Sequence, residues 1–418
     1  MQRIFSREAA SDKSCGGWGG KVKKDGVPQM LWLLTFLSLF IHFIYGILVV
    51  MRIQKPWAEV LNHWDSGWYT LIVEEGYEGP RFAFYPLYPW MVRAAGQLLN
   101  SGFLTPLGLE PLSTPLVGSV VSTLFFFGAT YLVTRWPHAR PEPRAQGPIS
   151  DAKGLLISKF GWLFVVMSPA SYVFHTHHTE SLYFFLSLAA FLKLAKGSWI
   201  WASLFGGLCA LTKNQGIFLA LALGVGCALL DPGLQEHDRG RLSIRMKRFV
   251  LSGLVSGTIF FLYPLYCYIK TGDFLAFYAA QMHWRPEMSE FSYGRAFIFA
   301  NPWQNTNLGS LIRYGWFWLL VLAVVGLLRA KMIVMGLYAL LFVGVMPLSG
   351  EFVGTFRYSS VLFPVWFFYG RYYERFLLKA VSHQGRGVSW VAFVVTVLGL
   401  LYLNLTTYRS YLLGRWSY

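Results

Sequence analysis

The chain of 418 residues is 55% hydrophobic and only 13% charged, and its mean hydropathy is +0.44. Soluble domains carry about 25% charged residues, so this composition excludes an ordinary soluble protein and indicates a polytopic membrane protein. The formal net charge of +16 gives no reason to expect a nucleic-acid partner, because membrane proteins carry basic residues in their cytoplasmic loops.

Apolar runs of membrane-spanning length follow a basic tail at residues 1–29. We predict eleven spans, at 30–51, 114–134, 155–174, 179–196, 198–212, 214–230, 249–269, 311–328, 332–348, 357–374 and 388–408. The apolar stretch 82–99 contains Pro86, Pro89 and Arg93, and it is predicted to be an interfacial or re-entrant segment.

The distribution of basic residues predicts an orientation. With the amino terminus in the cytoplasm, most of the 36 Lys and Arg residues fall in cytoplasmic segments, as the positive-inside rule requires. We therefore expect one transmembrane domain over 30–408 and a short tail at 409–418. The polar clusters then all lie on the extracytoplasmic face, at 52–113 (the first such loop), 174–179, 213–215, 270–310 (a large loop) and 349–357.

Asp65 lies in the segment 62–69, which surrounds one carboxylate with aromatic rings soon after the first span. Such a setting is typical of chemistry rather than packing. We interpret Asp65 as a general base in a pocket shielded from water. The alternative is that it caps or anchors an interfacial helix predicted over 57–73. The side chains predicted to bind substrate around it are His63, Trp64, Trp68 and Tyr69, with Tyr85 from the following aromatic stretch.

A second polar cluster begins at His175 and ends at Glu180. The i, i+3 spacing of His177 and Glu180 occurs in metal sites, but few further ligands are available, so a metal site is the less favoured interpretation. We expect His177, His178 and Glu180 to form the polar wall of a substrate cavity, because an ionisable residue at membrane depth indicates function.

Several cations are candidates for binding a phosphate. Lys213 and Asn214 interrupt an apolar stretch, where Lys213 either snorkels to the interface or pairs with an anion. Arg357 opens a predicted span, and its guanidinium either clamps a phosphate or forms a salt bridge to Glu351. The predicted donor-phosphate residues are Lys213, Asn214, Arg285 and Arg357, and the outer loops add His283 and Glu351 as substrate contacts.

These residues together resemble the PIG-V type mannosyltransferases, which include GPI mannosyltransferase II and its prokaryotic relatives. The similar pieces occur in the order of the family across residues 60–365. They are His63-Trp64-Asp65, Gly76-Tyr77, Phe82-Ala83-Phe84-Tyr85-Pro86, Ser168-Pro169-Ala170, Thr179-Glu180-Ser181-Leu182-Tyr183, Lys213-Asn214 and Arg357-Tyr358. Each piece alone is weak, and the ordered set is specific.

The resemblance implies an all-α polytopic membrane protein with the GT-C glycosyltransferase fold, about eleven transmembrane helices and interfacial helices in the first extracytoplasmic loop. It implies that Asp65 is the base of an inverting transfer. The sugar, with mannose favoured, would move from a polyprenyl- or dolichyl-phosphate donor to a hydroxyl of a lipid-linked or glycan acceptor. We expect no metal and no other cofactor, because fixed cations suffice for one leaving phosphate.

Two departures from the eukaryotic pattern concern the acceptor. Trp68 stands where that pattern has a histidine, and Lys213 stands where it has an arginine. We expect a multi-pass protein of the plasma or inner membrane in a prokaryote, or of the ER membrane in a eukaryote, with an extracytoplasmic active site. Two other classes stay open: a lipid or sugar transporter or flippase, and a non-catalytic lipid-binding membrane subunit.

Overall fold

The computed structural model describes residues 26–136, 158–230, 242–283, 308–349, 354–381 and 386–415. Regular structure in these ranges is helical. The α-helices are α1 Gly26–Ile53, α2 Trp57–Val60, α3 Asp65–Glu74, α4 Leu87–Leu99, α5 Thr114–Arg135, α6 Lys159–Met167, α7 Glu180–Ala195, α8 Trp199–Thr212, α9 Gly216–Leu230, α10 Leu242–Thr271, α11 Ala276–Gln281, α12 Leu308–Arg329, α13 Ile333–Gly344, α14 Thr355–Ser360, α15 Phe363–Val381 and α16 Arg386–Leu412.

Five of the described helices are long and apolar enough to cross a membrane. These candidate spans are Val27–Ile53, Thr114–Arg135, Leu242–Thr271, Leu311–Arg329 and Trp390–Leu412. The apolar helices α8, α9 and α13 are shorter. The chain is therefore an all-α membrane protein, whereas the predicted number of eleven spans is not confirmed.

Several predicted spans correspond to shorter helices in the protein interior. The run 155–174 contains α6, which ends at Met167, followed by the 3₁₀ turn Ser171–Phe174. The run 357–374 is divided between α14 and α15. An apolar run need not form one straight span when neighbouring helices satisfy its backbone groups.

The centre of the bundle is α7, which is buried along nearly its whole length. It packs against α5, α8 and α9. At another contact, between α6 and α15, a side chain on Gly370 would overlap the backbone of Gly161. This close approach of two backbones requires glycine. Because α7 is enclosed on all sides, its first residue, Glu180, lies deep inside the protein.

The prediction of one continuous helix over 57–73 is wrong. The chain forms two helices, α2 and α3, and the residues between them are not helical. The side-chain oxygen Oδ1 of Asn62 accepts a hydrogen bond from Thr70 at 2.7 Å, which ties this break to the next helix. Trp64 adopts φ 56° and ψ −125°, so the chain turns sharply and α3 begins at Asp65.

The stretch predicted to be interfacial or re-entrant forms a 3₁₀ turn at Gly79–Ala83 and then α4. Pro86 and Pro89 lie at the start of α4, where proline is tolerated because the first backbone N–H groups of a helix have no partner inside it. The hydroxyl of Tyr263 in α10 donates to the carbonyl oxygens of Phe82 and Phe84, at 2.6 and 2.9 Å. The first loop is thereby fixed to the helical bundle.

Candidate active site

Four charged side chains from four distant segments of the chain meet in one network. The Arg357 guanidinium in α14 donates from Nη1 to Asp65 Oδ2 at 2.5 Å and from Nε to Glu180 Oε1 at 2.6 Å. Lys213, in the turn between α8 and α9, donates from Nζ to the same Glu180 oxygen at 2.5 Å. The network therefore runs Asp65–Arg357–Glu180–Lys213, with alternating charges.

Exposure to solvent decreases from one end of the network inward. The Asp65 side chain is 34% exposed, whereas that of Arg357 is 3% and that of Glu180 is 0% exposed. Breaking a buried pair by removing one partner is costly, since it leaves a charge without compensation. Asp65 is the most exposed member, Lys213 at the other end is 11% exposed, and the two buried members between them hold the arrangement together.

Glu180 is held by more than its two cations. It is the first residue of α7, where the positive end of the helix dipole stabilises a carboxylate. Burial lowers the pKa of the Lys213 ammonium, and the adjacent Glu180 acts in the opposite direction. Lys213 also lies over the ring of Tyr358, with Nζ 4.8 Å from the ring centroid, a favourable cation–π distance.

The position of Asp65 depends on an unusual backbone at Trp64. The positive φ of 56° at this residue is rare outside glycine, and strained backbones of this kind cluster at functional sites. The indole Nε1 of Trp64 donates to the carbonyl oxygen of Arg415 at 3.2 Å. On the other side of Asp65, Ser66 Oγ donates to the carbonyl oxygen of His177 at 2.9 Å. Asp65 is thus anchored from both sides.

We expect Trp64→Gly to be more stable than Trp64→Ala by about 1 kcal/mol, although both variants lose the same indole. Alanine retains the cost of the positive φ, and glycine does not. Unfolding midpoints in matched nanodiscs check this difference. If the alanine variant were as stable as the glycine variant, Trp64 would not hold a strained backbone.

His177 and His178 lie beneath this network rather than on its exposed side, and both are fully buried. The hydroxyl of Tyr88 is 2.9 Å from His177 Nδ1, and α5 gives room for this imidazole because residue 118 is glycine. Burial lowers the pKa of His177 to about 3 and holds the pKa of His178 well below its usual value. Both rings are therefore neutral, and their binding of substrate stays a prediction.

The aromatic residues predicted around Asp65 divide into two groups. Trp68 lies nearly parallel to Phe84, with centroids 6.0 Å apart, and Tyr69 packs edge-on against the same ring. His63 contacts the ring of Tyr411. Tyr85 instead belongs to a separate cluster, with Tyr263 and Cys267 of α10 and Phe277 of α11.

The remaining predicted residues are Asn214, His283, Arg285 and Glu351. Asn214 is an exposed residue of the turn that contains Lys213, and His283 follows the end of α11 and is exposed. Arg285 and Glu351 lie outside the described residues, as does the predicted salt bridge between Arg357 and Glu351. Within the described ranges, no group of three or more His, Cys, Asp and Glu residues could hold a metal ion.

The carboxy-terminal helix contributes a residue that the sequence did not indicate. The hydroxyl of Tyr411 donates to the carbonyl oxygen of Leu61 at 2.8 Å and lies 3.0 Å from Ser66 Oγ. Residue 411 was predicted to be in a tail, but α16 continues to Leu412. The sequence signal that could have identified Tyr411 is its polar hydroxyl on an otherwise apolar helix.

One comparison with known proteins gave a match. A family model described as mannosyltransferase (PIG-V) matches residues 45–272, which is more than half of the chain and contains Asp65, Glu180 and Lys213. The resemblance noted from the motifs is thereby confirmed. Searches of curated proteins and of solved structures gave no match.

Proposed function

Because the chain belongs to the PIG-V mannosyltransferase family, we propose that it transfers mannose from a polyprenyl- or dolichyl-phosphate donor to a hydroxyl of a lipid-linked or glycan acceptor. The observation that carries this proposal is the partly exposed carboxylate of Asp65, whose Oδ2 lies 2.5 Å from Nη1 of the buried Arg357. A carboxylate next to a cation supports the proposal, because sugar transfer from a lipid phosphate uses a base and a group that stabilises the leaving phosphate.

In the proposed reaction, Asp65 accepts the proton of the acceptor hydroxyl. The acceptor oxygen forms a bond to C1 of the sugar as the bond between C1 and the phosphate oxygen breaks, and the configuration at C1 inverts. The electron pair of the broken bond leaves with the lipid phosphate. Arg357 and Lys213 stabilise the charge that develops there, since fixed cations in a site shielded from water are effective at developing charge.

The contact between Arg357 and Asp65 suggests an order of binding. While Arg357 Nη1 donates to Asp65 Oδ2, this carboxylate oxygen is occupied and does not accept the proton of an acceptor hydroxyl. A donor phosphate competes with Asp65 for the Nη1 atom of Arg357, while Glu180 continues to hold Nε. In this proposal the donor binds first, and its phosphate releases Asp65 to act on the acceptor.

We expect replacement of Arg357 by lysine to raise the KM for the lipid donor and to lower turnover. The combined loss of kcat/KM should be about 10²-fold, the usual cost of losing one well-placed hydrogen-bond donor to the reacting charge. Lysine keeps the charge, but it lacks the planar fork that contacts Asp65 and Glu180 at once. Arg81→Lys is a matched control in the first loop, where Arg81 contacts Glu75 and the carbonyl oxygen of Gly76. Equal kinetics in both variants would contradict the proposed clamp.

We further propose that the active site faces the extracytoplasmic side of the membrane. The distribution of Lys and Arg in the sequence supports this orientation. The segments assigned to that face on sequence grounds also supply the contacts at Asp65, Lys213 and Arg357.

The direct test supplies radiolabelled polyprenyl-phosphate mannose and a lipid extract to the purified protein in nanodiscs. Loss of label from the donor and appearance of a mannosylated glycolipid or glycan would support the proposal. Binding of the donor lipid without its consumption would contradict it, and would favour a transporter or a non-catalytic subunit.

A further inference from the structure

A cavity that the proposed chemistry does not use lies among α1, α5 and α16. Its volume is about 430 Å³. We call it the α1–α5 groove, and its apolar wall includes Leu39, Phe43, Trp57, Leu61, Val120 and Leu124. Since α1, α5 and α16 all contain candidate membrane spans, the groove lies where its surroundings are hydrocarbon, and a lipid chain is the occupant that such surroundings supply.

The groove extends from the interface into the membrane. Trp57 and Leu61 form its end beside α2, just after α1 ends at Ile53. Leu39 lies 14 positions before Ile53 in the same helix, which places it about 20 Å deeper at 1.5 Å per residue. This depth reaches beyond the middle of a hydrocarbon core of about 30 Å, so the groove is long enough for one extended hydrocarbon chain.

The wall of the groove also carries polar groups, which the packing of helices alone does not require. His42 and His175 both line it. His42 Nε2 is 2.7 Å from Asn404 Oδ1, and His175 Nε2 is 3.2 Å from Ser38 Oγ. The other ring nitrogen of His175, Nδ1, is buried and has no hydrogen-bond partner among the described residues. The accessible surface of the groove is nonetheless almost entirely apolar, as contact with a hydrocarbon chain requires.

The groove lies next to Asp65, the candidate base, and away from Lys213. Leu61, at its end, is four residues before Asp65, and Tyr411 connects Leu61 with Ser66 by its hydroxyl. Lys213 is at the opposite end of the charged network. The end of the groove therefore lies beside the segment that carries Asp65, the proposed base for the acceptor hydroxyl, and not beside Lys213, one of the cations proposed for the donor phosphate.

We propose that the α1–α5 groove binds the hydrocarbon chain of a lipid-linked acceptor and so presents its hydroxyl to Asp65. This inference rests on the proposed function, because it assigns one of the two lipids of that reaction to the groove.

The first test is photolabelling, which requires no turnover. The probe is a hexadecyl α-mannoside with a diazirine at the end of its chain, bound to the protein in nanodiscs. We expect labelled peptides from the middle of α1 and the first half of α5, and we expect unlabelled hexadecyl mannoside, but not polyprenyl phosphate, to compete. Uniform labelling of all lipid-facing helices, or competition by polyprenyl phosphate, would overturn the proposal.

The second test narrows the groove. Leu39→Trp is expected to raise the KM for hexadecyl mannoside roughly three- to tenfold, a modest effect since packing rather than transfer from water drives association in lipid. The KM for the donor and for octyl mannoside should change little. Leu48→Trp is the control, because Leu48 is on the same helix, is exposed and lies outside the groove. Equal effects on both chain lengths, or on the donor, would contradict a chain-binding groove.

The two tests separate this inference from the proposed function. Selective labelling in a protein that transfers no sugar would leave the groove as a lipid site and overturn the proposed function. Sugar transfer by a protein whose groove is not selectively labelled would support the proposed function and overturn the assignment of the groove.

Discussion

Asp65→Asn is expected to lower turnover by about 10²–10⁴-fold, the usual cost of removing a general base. The amide is nearly isosteric and still accepts a hydrogen bond from Arg357, but it does not take a proton. Because the Asp65 side chain is 34% exposed and lies at the edge of the network, the abundance and unfolding midpoint of the variant should remain close to those of the unmodified chain. The measurement is transfer of labelled mannose at saturating donor and acceptor.

Two further variants make this result specific. Glu78→Gln removes an exposed carboxylate from the same loop and should leave turnover unchanged. Asp65→Glu keeps a base but moves its oxygens, and partial activity is expected because geometry decides the efficiency of a general base. Near-normal turnover in Asp65→Asn would exclude the assignment of the base. A parallel loss in Glu78→Gln would indicate that the whole loop had been disturbed.

The members of the charged network could be predicted from the sequence, but their pairing could not. Asp65, Glu180, Lys213 and Arg357 were all recognisable, since ionisable residues in an apolar chain are rare and costly. Glu180 was predicted to bind substrate. In the structure it forms salt bridges with two cations of the protein itself, Lys213 and Arg357. Its contact with Arg357 spans 177 positions in the chain, a separation over which no local pattern carries information.

The fold was predictable to a similar degree. Hydropathy located the long spans, because every backbone polar group in a bilayer must be satisfied within a helix. The break between α2 and α3 was missed, since the positive φ of Trp64 is held by contacts to distant segments such as that containing Arg415. Likewise the short α6 and α14 are buried by neighbouring helices, and hydropathy alone does not distinguish such helices from spans.

The central role of Glu180 leads to the largest expected effect on stability. Glu180→Gln should lower the free energy of unfolding by about 3–5 kcal/mol, the cost of leaving buried charges without their partner. Lys213 and Arg357 would then lose the carboxylate that they share, and Asp65 at the far end of the network contacts Arg357. The unfolding midpoint in nanodiscs and the amount of folded protein in the membrane both measure this loss. Glu59→Gln is the control, because Glu59 and its partner Lys55 are exposed and such pairs contribute about 0–1 kcal/mol.

A double variant decides whether charge balance is the cause. Among the four described members of the network, Glu180→Gln leaves two cations with one carboxylate, and the additional change Lys213→Met leaves one cation with one carboxylate. If uncompensated charge destabilises the single variant, the double variant should regain part of the lost stability, a coupling of the 0.5–3 kcal/mol size typical of contacting residues. If the two losses simply added, Glu180 would stabilise the protein by packing and hydrogen bonds alone. Sugar transfer should stay low in the double variant in either case, because Lys213 is proposed to stabilise the leaving phosphate. A double variant that regains stability but not activity would show that the two effects of Glu180 and Lys213 are distinct.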